Sequence, residues 1–274
     1  MSVINSENIA KQVRKDIVEL TYKAGTHGTH ISGSLSAVEV LSVLYNDILR
    51  LNKDNLTDEN RDRFILSKGH AGMALYAVMN RVGILSDEEL ATFKDNGSAF
   101  HTHPKMNVPK GIEFSTGSLG HGLSLGVGSA IALKKRNNST SRVFVMLGDG
   151  ECDEGAVWEA AMSAAHFKLD NLIVIIDQNQ LQLDGKIVDI MDQGSLADKW
   201  KSFGWKVYEM DGHNVADIHQ TMTEGLKKMT GPTVFMAHTL KGKGISFIEG
   251  KYNWHIGVLT QEQYEQAKKE LEEV

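Results

Sequence analysis

The spacing of apolar and polar residues changes along the chain. Near the N-terminus, apolar side chains recur every three or four residues, which predicts amphipathic helices at residues 6–22 and 36–49. Further along, short apolar runs rich in β-branched and aromatic residues predict strands. These runs lie at residues 142–147, 171–176, 205–210 and 233–237.

Helical patterns separate the predicted strands and follow the last of them. They lie at residues 154–167, 195–203, 215–229 and 260–273. Alternation of strand and helix is typical of an α/β fold. We therefore predict a doubly wound, mostly parallel sheet with helices on both faces, in which ligands bind at the carboxyl ends of the strands.

Composition narrows the possible partners. The 274 residues contain three prolines and no linker-like tract, so we expect one domain over residues 1–274. A net charge of −6 without a Lys/Arg run argues against nucleic acid. The sequence shows neither a signal peptide nor a membrane-spanning apolar run, and its single cysteine, Cys152, fits a reducing compartment. We expect a cytoplasmic protein with no membrane partner.

The loop after the first predicted strand combines glycines with a carboxylate. Gly148, Asp149 and Gly150 follow the apolar run directly, and a helical pattern begins soon after. Glycines allow close backbone approach, and the N–H groups at a helix start favour anions. A carboxylate there would repel a phosphate unless a divalent cation lay between them, which makes Asp149 a candidate ligand. Asn179 ends the next predicted strand and would supply a neutral oxygen beside it, although both segments are also compatible with ordinary turns.

With this spacing, residues 148–185 resemble the signature of the thiamine-diphosphate enzymes, a Gly-Asp-Gly turn followed by a helix and a strand-ending Asn. The resemblance implies that Asp149, Asn179 and the Leu181 carbonyl bind Mg²⁺, for which Ca²⁺ or Mn²⁺ could substitute. It also implies that Gly150 lies against the diphosphate of thiamine diphosphate, with Glu151 among the cofactor-binding residues.

Four of the eleven histidines lie in segments that resemble transketolase and the related deoxyxylulose-phosphate synthase. In transketolases, histidines at matching positions line the channel in which a ketose phosphate meets the thiazolium ring. Imidazole suits this work because it can accept and donate protons near neutral pH. The resemblance implies substrate-site roles for His30, His70, His103 and His255, with His70 also contacting the cofactor. His101 could take the role of His103.

Two further segments match the same family. Residues 115–122 resemble its Thr-Gly-x-Leu-Gly-x-Gly loop, which implies that Gly117, Ser118 and Leu119 belong to the cofactor site, near the aminopyrimidine ring. A glycine loop that only opens a helix is the alternative. Glu154 matches a glutamate that faces its symmetry mate across the family's dimer interface, and the resemblance implies that it is a catalytic residue. A place in the first turn of a helix would also explain it.

The family resemblance also indicates a missing part. In transketolases a glutamate that contacts the pyrimidine ring belongs to a second domain, and this chain ends at Val274 without one. The resemblance therefore implies a heteromeric transketolase, inactive without a partner subunit that carries the pyrimidine-binding and C-terminal domains. Two copies of each chain would suit the paired sites of the superfamily. The expected reaction transfers a two-carbon ketol unit from a ketose phosphate to an aldose phosphate.

Several alternatives stay open. The closest is the cofactor-binding subunit of a deoxyxylulose-phosphate-synthase-like enzyme, although the Lys-Gly-Lys-Gly and Trp-His segments at residues 241–255 favour transketolase. The alpha subunit of a 2-oxo acid dehydrogenase shares the metal motif but not the histidine segments. A non-catalytic subunit that binds the cofactor for assembly is a further class. The donor could also be a branched or sulfonated sugar, because substrates differ within a superfamily.

Overall fold

A single parallel sheet forms the centre of the fold. The computed structural model describes residues 2–136 and 140–272, and within them five strands pair in the order β1-β2-β3-β5-β4, all parallel. The strands are Arg63–Leu66 (β1), Val143–Gly148 (β2), Leu172–Gln178 (β3), Lys206–Asp211 (β4) and Thr233–His238 (β5). The sheet order reverses beside β3, which is where ligands bind in open α/β folds.

The four predicted strands are confirmed to within one or two residues, and the edge strand β1 was not predicted. It contains only four residues, Arg-Phe-Ile-Leu, and its pairing with β2 rather than its own pattern makes it a strand.

Eleven α-helices surround the sheet in the described part of the chain. They are Ser2–Ala24 (α1), Ile31–Leu35 (α2), Val38–Val43 (α3), Gly72–Arg81 (α4), Asp87–Ala91 (α5), His121–Lys135 (α6), Gly155–His166 (α7), Ile187–Ile190 (α8), Leu196–Ser202 (α9), Val215–Lys227 (α10) and Gln261–Glu272 (α11). All six predicted helices are found, and α3 continues as a π-helical turn, Leu44–Ile48. Residue 273, the predicted end of the last helix, lies outside the described residues.

Alternate strand residues face two separate hydrophobic cores. Phe144 and Ile175 point to the core formed with α1, α3, α4, α10 and α11. Val145 and Val174 point to the core formed with α6, α7 and α9. Because successive side chains of a strand lie on opposite faces of the sheet, continuous apolar runs bury both faces. The prediction of helices on both faces is confirmed.

Side-chain caps define several helix starts. The Ser195 hydroxyl accepts from Asp198 N at 3.1 Å ahead of α9, and the Asn214 side chain accepts from Asp217 N at 3.1 Å ahead of α10. Within the described residues, no helix has the length and apolar character needed to cross a bilayer.

Candidate active site

A cavity of about 280 Å³ lies at the carboxyl edge of the sheet. The segments after β1, β2, β3 and β5 contribute to its wall, and the loop before α2 adds a histidine. The polar and charged side chains in the wall are His30, Lys68, His70, His103, Asp149, Glu151, Asn179, Gln182, Lys241 and His255. The structure thus brings together residues that are up to 225 positions apart, from 30 to 255.

The register of β2 and β3 places Asp149 beside the end of the next strand. Gly148 pairs with Asp177, and the Asp149 carboxylate accepts from Gln180 N at 2.5 Å and from Gly150 N at 2.9 Å. Only 2% of Asp149 is exposed. Burial, followed by the nearby charge of Asp177, raises the pKa of Asp149 to about 7. A cation at this carboxylate would therefore favour its charged form.

Asn179 and Leu181 line the same cavity as Asp149 and provide two further oxygens. Asn179 Oδ1 accepts from Leu181 N at 3.1 Å, and Asn179 Nδ2 donates to Asp177 Oδ2 at 3.2 Å, which fixes the orientation of the amide. The Leu181 carbonyl accepts from Lys241 Nζ at 3.1 Å. Among the described residues, no three His, Cys, Asp or Glu side chains converge as a metal site. A metal here would be held by one carboxylate together with neutral oxygens.

Two buried lysines were not predicted. Lys68 is 1% exposed, pairs with Asp177 and donates to the Gly33 carbonyl at 2.9 Å. Lys241 is 2% exposed, and its Nζ lies 3.0 Å from the Gln182 carbonyl and 3.1 Å from His255 Nδ1. Burial, then the charge of Lys68, lowers the pKa of Lys241 to about 8. The cavity therefore contains positive charge that an anionic ligand would stabilise.

Asp177 does not line the cavity, but it contacts several of the segments that do. Its carboxylate accepts from the Ser36 hydroxyl at 2.6 Å and from the Thr239 hydroxyl, in addition to its pair with Lys68. Burial works to raise the pKa of Asp177, but the Lys68 ammonium and these donors together lower it below its ordinary value. Asp177 is thus a buried anion that links β3 to α2, β1 and β5.

The four predicted histidines form one cluster. The ring centre of His30 lies 5.5 Å from that of His70, 5.5 Å from that of His103 and 5.2 Å from that of His255. The ring centres of His70 and His255 are 5.3 Å apart. His101 lines a neighbouring cavity instead, so the geometry favours His103 over His101 as the member of the cluster.

Burial lowers the pKa of all four clustered histidines, which favours their neutral form. Burial, then His103, lowers the pKa of His30 to about 4. Burial, then Lys241, lowers the pKa of His255 to about 3, and burial, then Lys68, holds the pKa of His70 well below its usual range. A neutral imidazole offers one donor and one acceptor, which suits the binding of hydroxyl groups. The Nδ1 atom of His30 is buried without a protein partner.

Glycines allow the loops of the cavity to pack tightly. Gly117 has φ of 145°, and a Cβ there would lie 2.8 Å from the His103 ring. A Cβ on Gly69 would lie 2.7 Å from Gly117 N. Side chains at either position would force apart the segments that carry His70 and His103. Gly117 and Leu119 line the cavity, and their contact with the cofactor stays a prediction.

Three predicted site residues, Glu151, Ser118 and Glu154, do not present free side chains to the cavity. Glu151 lines the cavity, but its carboxylate accepts from Gly120 N at 3.0 Å, from Gly148 N at 3.1 Å and from the Ser67 hydroxyl, so it holds the loops together. Ser118 and Glu154 are exposed and lie outside the cavity wall. The structure does not bring either of them to the histidine cluster.

The donor set fits a magnesium-bound diphosphate. Carboxylate, amide and carbonyl oxygens are the ligands that Mg²⁺ takes, and phosphate oxygens commonly complete its shell. The Lys241 ammonium beside the Leu181 carbonyl would balance part of the remaining charge of a diphosphate, whereas Asp177 already compensates the charge of Lys68.

Comparison with known proteins places these features in a family. Residues 6–272 match the family model described as transketolase, thiamine diphosphate binding domain. The chain is 44% identical over 273 residues to a protein of Phocaeicola vulgatus named as one of the subunits of apulose-4-phosphate transketolase, covering 100% of this chain and 96% of the relative. It is 39% identical over 269 residues to the 6-deoxy-6-sulfo-D-fructose transketolase subunit SqwG of Clostridium sp., covering 98% and 97%.

A solved structure shows the same fold in a longer chain. The transketolase of Campylobacter jejuni superposes with a TM-score of 0.86 at 30% identity, over 99% of this chain and 43% of its own. The chain therefore spans about two fifths of the length of that transketolase.

Proposed function

Because the chain belongs to the transketolase family through its thiamine diphosphate binding domain, we propose that it is the single-domain, cofactor-binding subunit of a two-chain transketolase. The enzyme would transfer a two-carbon ketol unit from a ketose phosphate to an aldose phosphate. The observation that carries the proposal is one cavity that joins the oxygens of Asp149, Asn179 and Leu181 to two buried lysines and four histidines.

The metal and the diphosphate would bind at the ends of β2 and β3. Asp149, the Asn179 side chain and the Leu181 carbonyl would hold Mg²⁺, and Gly150 would leave room for the diphosphate. Lys241 now donates to the Leu181 carbonyl, and a bound diphosphate would offer its ammonium a stronger, charged acceptor. When bound, thiamine diphosphate supplies the carbanion chemistry of ketol transfer.

The histidine cluster would bind the donor sugar. His30, His70, His103 and His255 surround a space beside the metal oxygens, and their neutral rings can donate to and accept from sugar hydroxyls. Their lowered pKa values favour this binding role over electrostatic attraction of a phosphate. A ring that accepts a hydroxyl proton during transfer would return it to the departing or entering sugar.

A partner chain would complete the site. The relatives named as subunits match nearly the whole chain, whereas the longer transketolase of Campylobacter jejuni contains more than twice its length. We propose a partner with the pyrimidine-binding and C-terminal domains, and an assembly with two copies of each chain. The exposed Ser118 and Glu154 would then face that partner or the second copy. Cys152 is buried and free, which supports a reducing, cytoplasmic location.

The donor is proposed to be an unusual ketose. The two relatives described above are named for apulose 4-phosphate and 6-deoxy-6-sulfo-D-fructose, and each matches this chain more closely than human transketolase, which is 34% identical. We propose a branched ketose phosphate first and a sulfonated ketose second, because the first named relative has the higher identity.

Ketol transfer to an aldose phosphate is the decisive test. The chain would be assayed alone and with a candidate partner, using Mg²⁺, thiamine diphosphate and a panel of apulose 4-phosphate, sulfofructose and xylulose 5-phosphate. Activity only in the mixture supports the proposal, and Asp149→Ala should abolish metal-dependent cofactor binding. Transfer by the chain alone would refute the need for a partner. Formation of a deoxyxylulose phosphate from pyruvate would favour the synthase alternative.

A further inference from the structure

A second polar network lies behind the cavity, where β4 and β5 end. Asp211 pairs with His238 in the strand register, and Gly212 N donates to the His238 carbonyl at 2.8 Å. A Cβ on Gly212 would lie 2.4 Å from Thr239 Cγ2. Only glycine lets this turn pack so closely, and the turn therefore brings His213 against Leu240.

The partners of His213 determine which ring nitrogen carries the proton. Leu240 N donates to His213 Nε2 at 2.8 Å, so that nitrogen is an acceptor. The proton must then lie on Nδ1, which donates to Glu39 Oε2 at 2.9 Å. Neutral His213 thus links the backbone after β5 to a carboxylate on α3.

Arg14 of α1 joins the same carboxylate to the other end of the segment. Its guanidinium pairs with Glu39 Oε1 and donates to the carbonyls of Lys243 and Leu35. Gly244 has φ of 96°, and a Cβ there would lie 2.7 Å from Arg14 Cδ. We call Arg14, Glu39 and His213 the clasp, since His213 and Arg14 contact the two ends of residues 240–243 and Glu39 joins these two side chains.

The clasp surrounds a residue of the proposed active site. Lys241 lies inside the held segment, and its Nζ donates to the Leu181 and Gln182 carbonyls, which follow the end of β3. The clasp side chains are 9%, 12% and 16% exposed and do not line the cavity. A buried ion pair with a histidine contributes little net stability compared with an apolar core, so a role in fixing geometry is the better explanation.

We propose that the clasp is a positioning device for Lys241, and that through Lys241 it sets the affinity of the site for a magnesium-bound diphosphate. Arg14, Glu39 and His213 are positioning residues, because none of them touches the space that the ligand would occupy. The effect on affinity rests on the proposed function, whereas the positioning of Lys241 does not.

Amine labelling tests the positioning itself. The rate of acetylation of Lys241 by acetic anhydride would be measured by mass spectrometry on the full, ligand-free chain. His213→Ala should raise this rate several-fold, because the freed segment exposes an amine that is now 2% exposed. His238→Ala is the matched control, since His238 also lies 2.9 Å from a glutamate, Glu209, but does not hold the segment. Equal rates in wild type and His213→Ala would overturn the proposal.

A double-mutant cycle tests the path through Lys241. Calorimetry would measure binding of Mg²⁺ with inorganic diphosphate, and then with thiamine diphosphate, to wild type, His213→Ala, Lys241→Met and the double variant. We expect His213→Ala to weaken binding about tenfold, as for other residues that orient a ligand-binding group. The double variant should bind no more weakly than Lys241→Met alone. Fully additive losses would show that His213 acts elsewhere and would overturn the proposal.

A second variant, Glu39→Gln, tests the clasp without removing a whole buried side chain, in case His213→Ala fails to fold. Glu39→Gln keeps the size of the side chain but replaces one acceptor oxygen by a donor, so it should reproduce both the faster labelling and the coupling to Lys241. The clasp variants could change the acetylation rate of Lys241 while the chain binds neither inorganic diphosphate nor thiamine diphosphate. That result would support the positioning of Lys241 and contradict the proposed function. If the chain binds the diphosphates but Glu39→Gln does not change the acetylation rate of Lys241, the clasp proposal is contradicted and the proposed function is not.

Discussion

The imidazole of His30 shows how the cavity controls the charge of a single residue. It lies at the centre of the cluster, with three other imidazoles within 5.5 Å between ring centres. Burial and neighbouring positive groups exclude its cation, and its pKa falls to about 4. The site therefore keeps a neutral ring available for a substrate across the physiological range.

The lowered pKa of His30 predicts a pH-dependent contribution to stability. Between about pH 6.5 and pH 4, the unfolded chain binds a proton at His30 that the folded chain does not bind. The contribution of His30 to the free energy of unfolding is therefore fully present above pH 6.5 and is lost as the pH falls towards 4. We expect His30→Gln to reduce the loss in unfolding free energy between pH 7 and pH 5 by roughly 1–2 kcal/mol. Urea unfolding at both pH values would measure it.

The exposed His166 supplies the control for that measurement. His166→Gln should leave the difference between pH 7 and pH 5 as it is in wild type. An unchanged pH profile in His30→Gln would mean that His30 has the same pKa in the folded and the unfolded chain.

Neighbouring histidines allow a test of which ring belongs to the substrate site. His103 lines the cavity with the cluster, whereas His101 lines only the adjoining one. In the assembled enzyme we expect His103→Ala to lower kcat/KM for the ketose donor by about 100-fold, with cofactor affinity nearly unchanged. His101→Ala should stay within about threefold of wild type, a change of less than 1 kcal/mol. Steady-state kinetics on both variants would decide, and the reverse ranking would assign the role to His101.

At the scale of the elements, the buried pair of Lys68 and Asp177 joins the ends of β1 and β3. Removal of one partner leaves an uncompensated buried charge, so Lys68→Met should lower the free energy of unfolding by about 3–5 kcal/mol. The double variant with Asp177→Asn should lose less than the sum of the two single variants. Denaturant titration of the ligand-free chain measures all three.

A surface pair provides the comparison for Lys68. Lys201 Nζ and Asp198 Oδ1 are 3.0 Å apart, but their side chains are 56% and 71% exposed. Lys201→Met should therefore change the unfolding free energy by less than about 1 kcal/mol. Strictly additive losses in the Lys68 and Asp177 variants would show that the two charges do not stabilise each other.

Most of the sheet was predictable because β2 and β3 bury both faces, which leaves an uninterrupted apolar run in the sequence. The edge strand β1 was not, since four residues after an Asp-Arg stretch carry too little pattern. Without β1, the Ser-Lys-Gly-His segment could not be assigned to the carboxyl edge of the sheet, and Lys68 was overlooked. Lys241 was overlooked for a similar reason, because its burial depends on contacts with a loop sixty residues away.

The proximity of Asp149 and Asn179 was predictable from strand order, whereas the Leu181 carbonyl and the histidine cluster required the family resemblance. Asp149 and Asn179 follow neighbouring parallel strands, so their proximity is a consequence of the fold. His30 and His255 lie in irregular segments, and no periodic pattern indicates that their rings meet. Nor does any pattern indicate that internal hydrogen bonds would occupy the Glu151 carboxylate.

At the scale of the whole molecule, several exposed apolar side chains follow β3 near the cavity. Leu183, Val188, Ile190 and Met191 are 54%, 60%, 44% and 57% exposed, and they follow Leu181 in the sequence. Leu183 also lines the cavity. Exposed apolar side chains grouped next to a binding site mark an interaction surface. We expect the proposed partner chain to cover this group and thereby close the site.

The apolar group around residues 183–191 gives the assembly a specific test. Ile190→Asp should weaken association with the partner chain by at least about tenfold, because a charge would be buried at an apolar contact, while the stability of the isolated chain stays near wild type. Ile4→Asp is the control, since Ile4 is 66% exposed and lies on α1, which does not line the cavity. Sedimentation of the mixed chains would measure both. Equal assembly of Ile190→Asp and wild type would place the partner on another face and leave the cavity to be closed by a different surface.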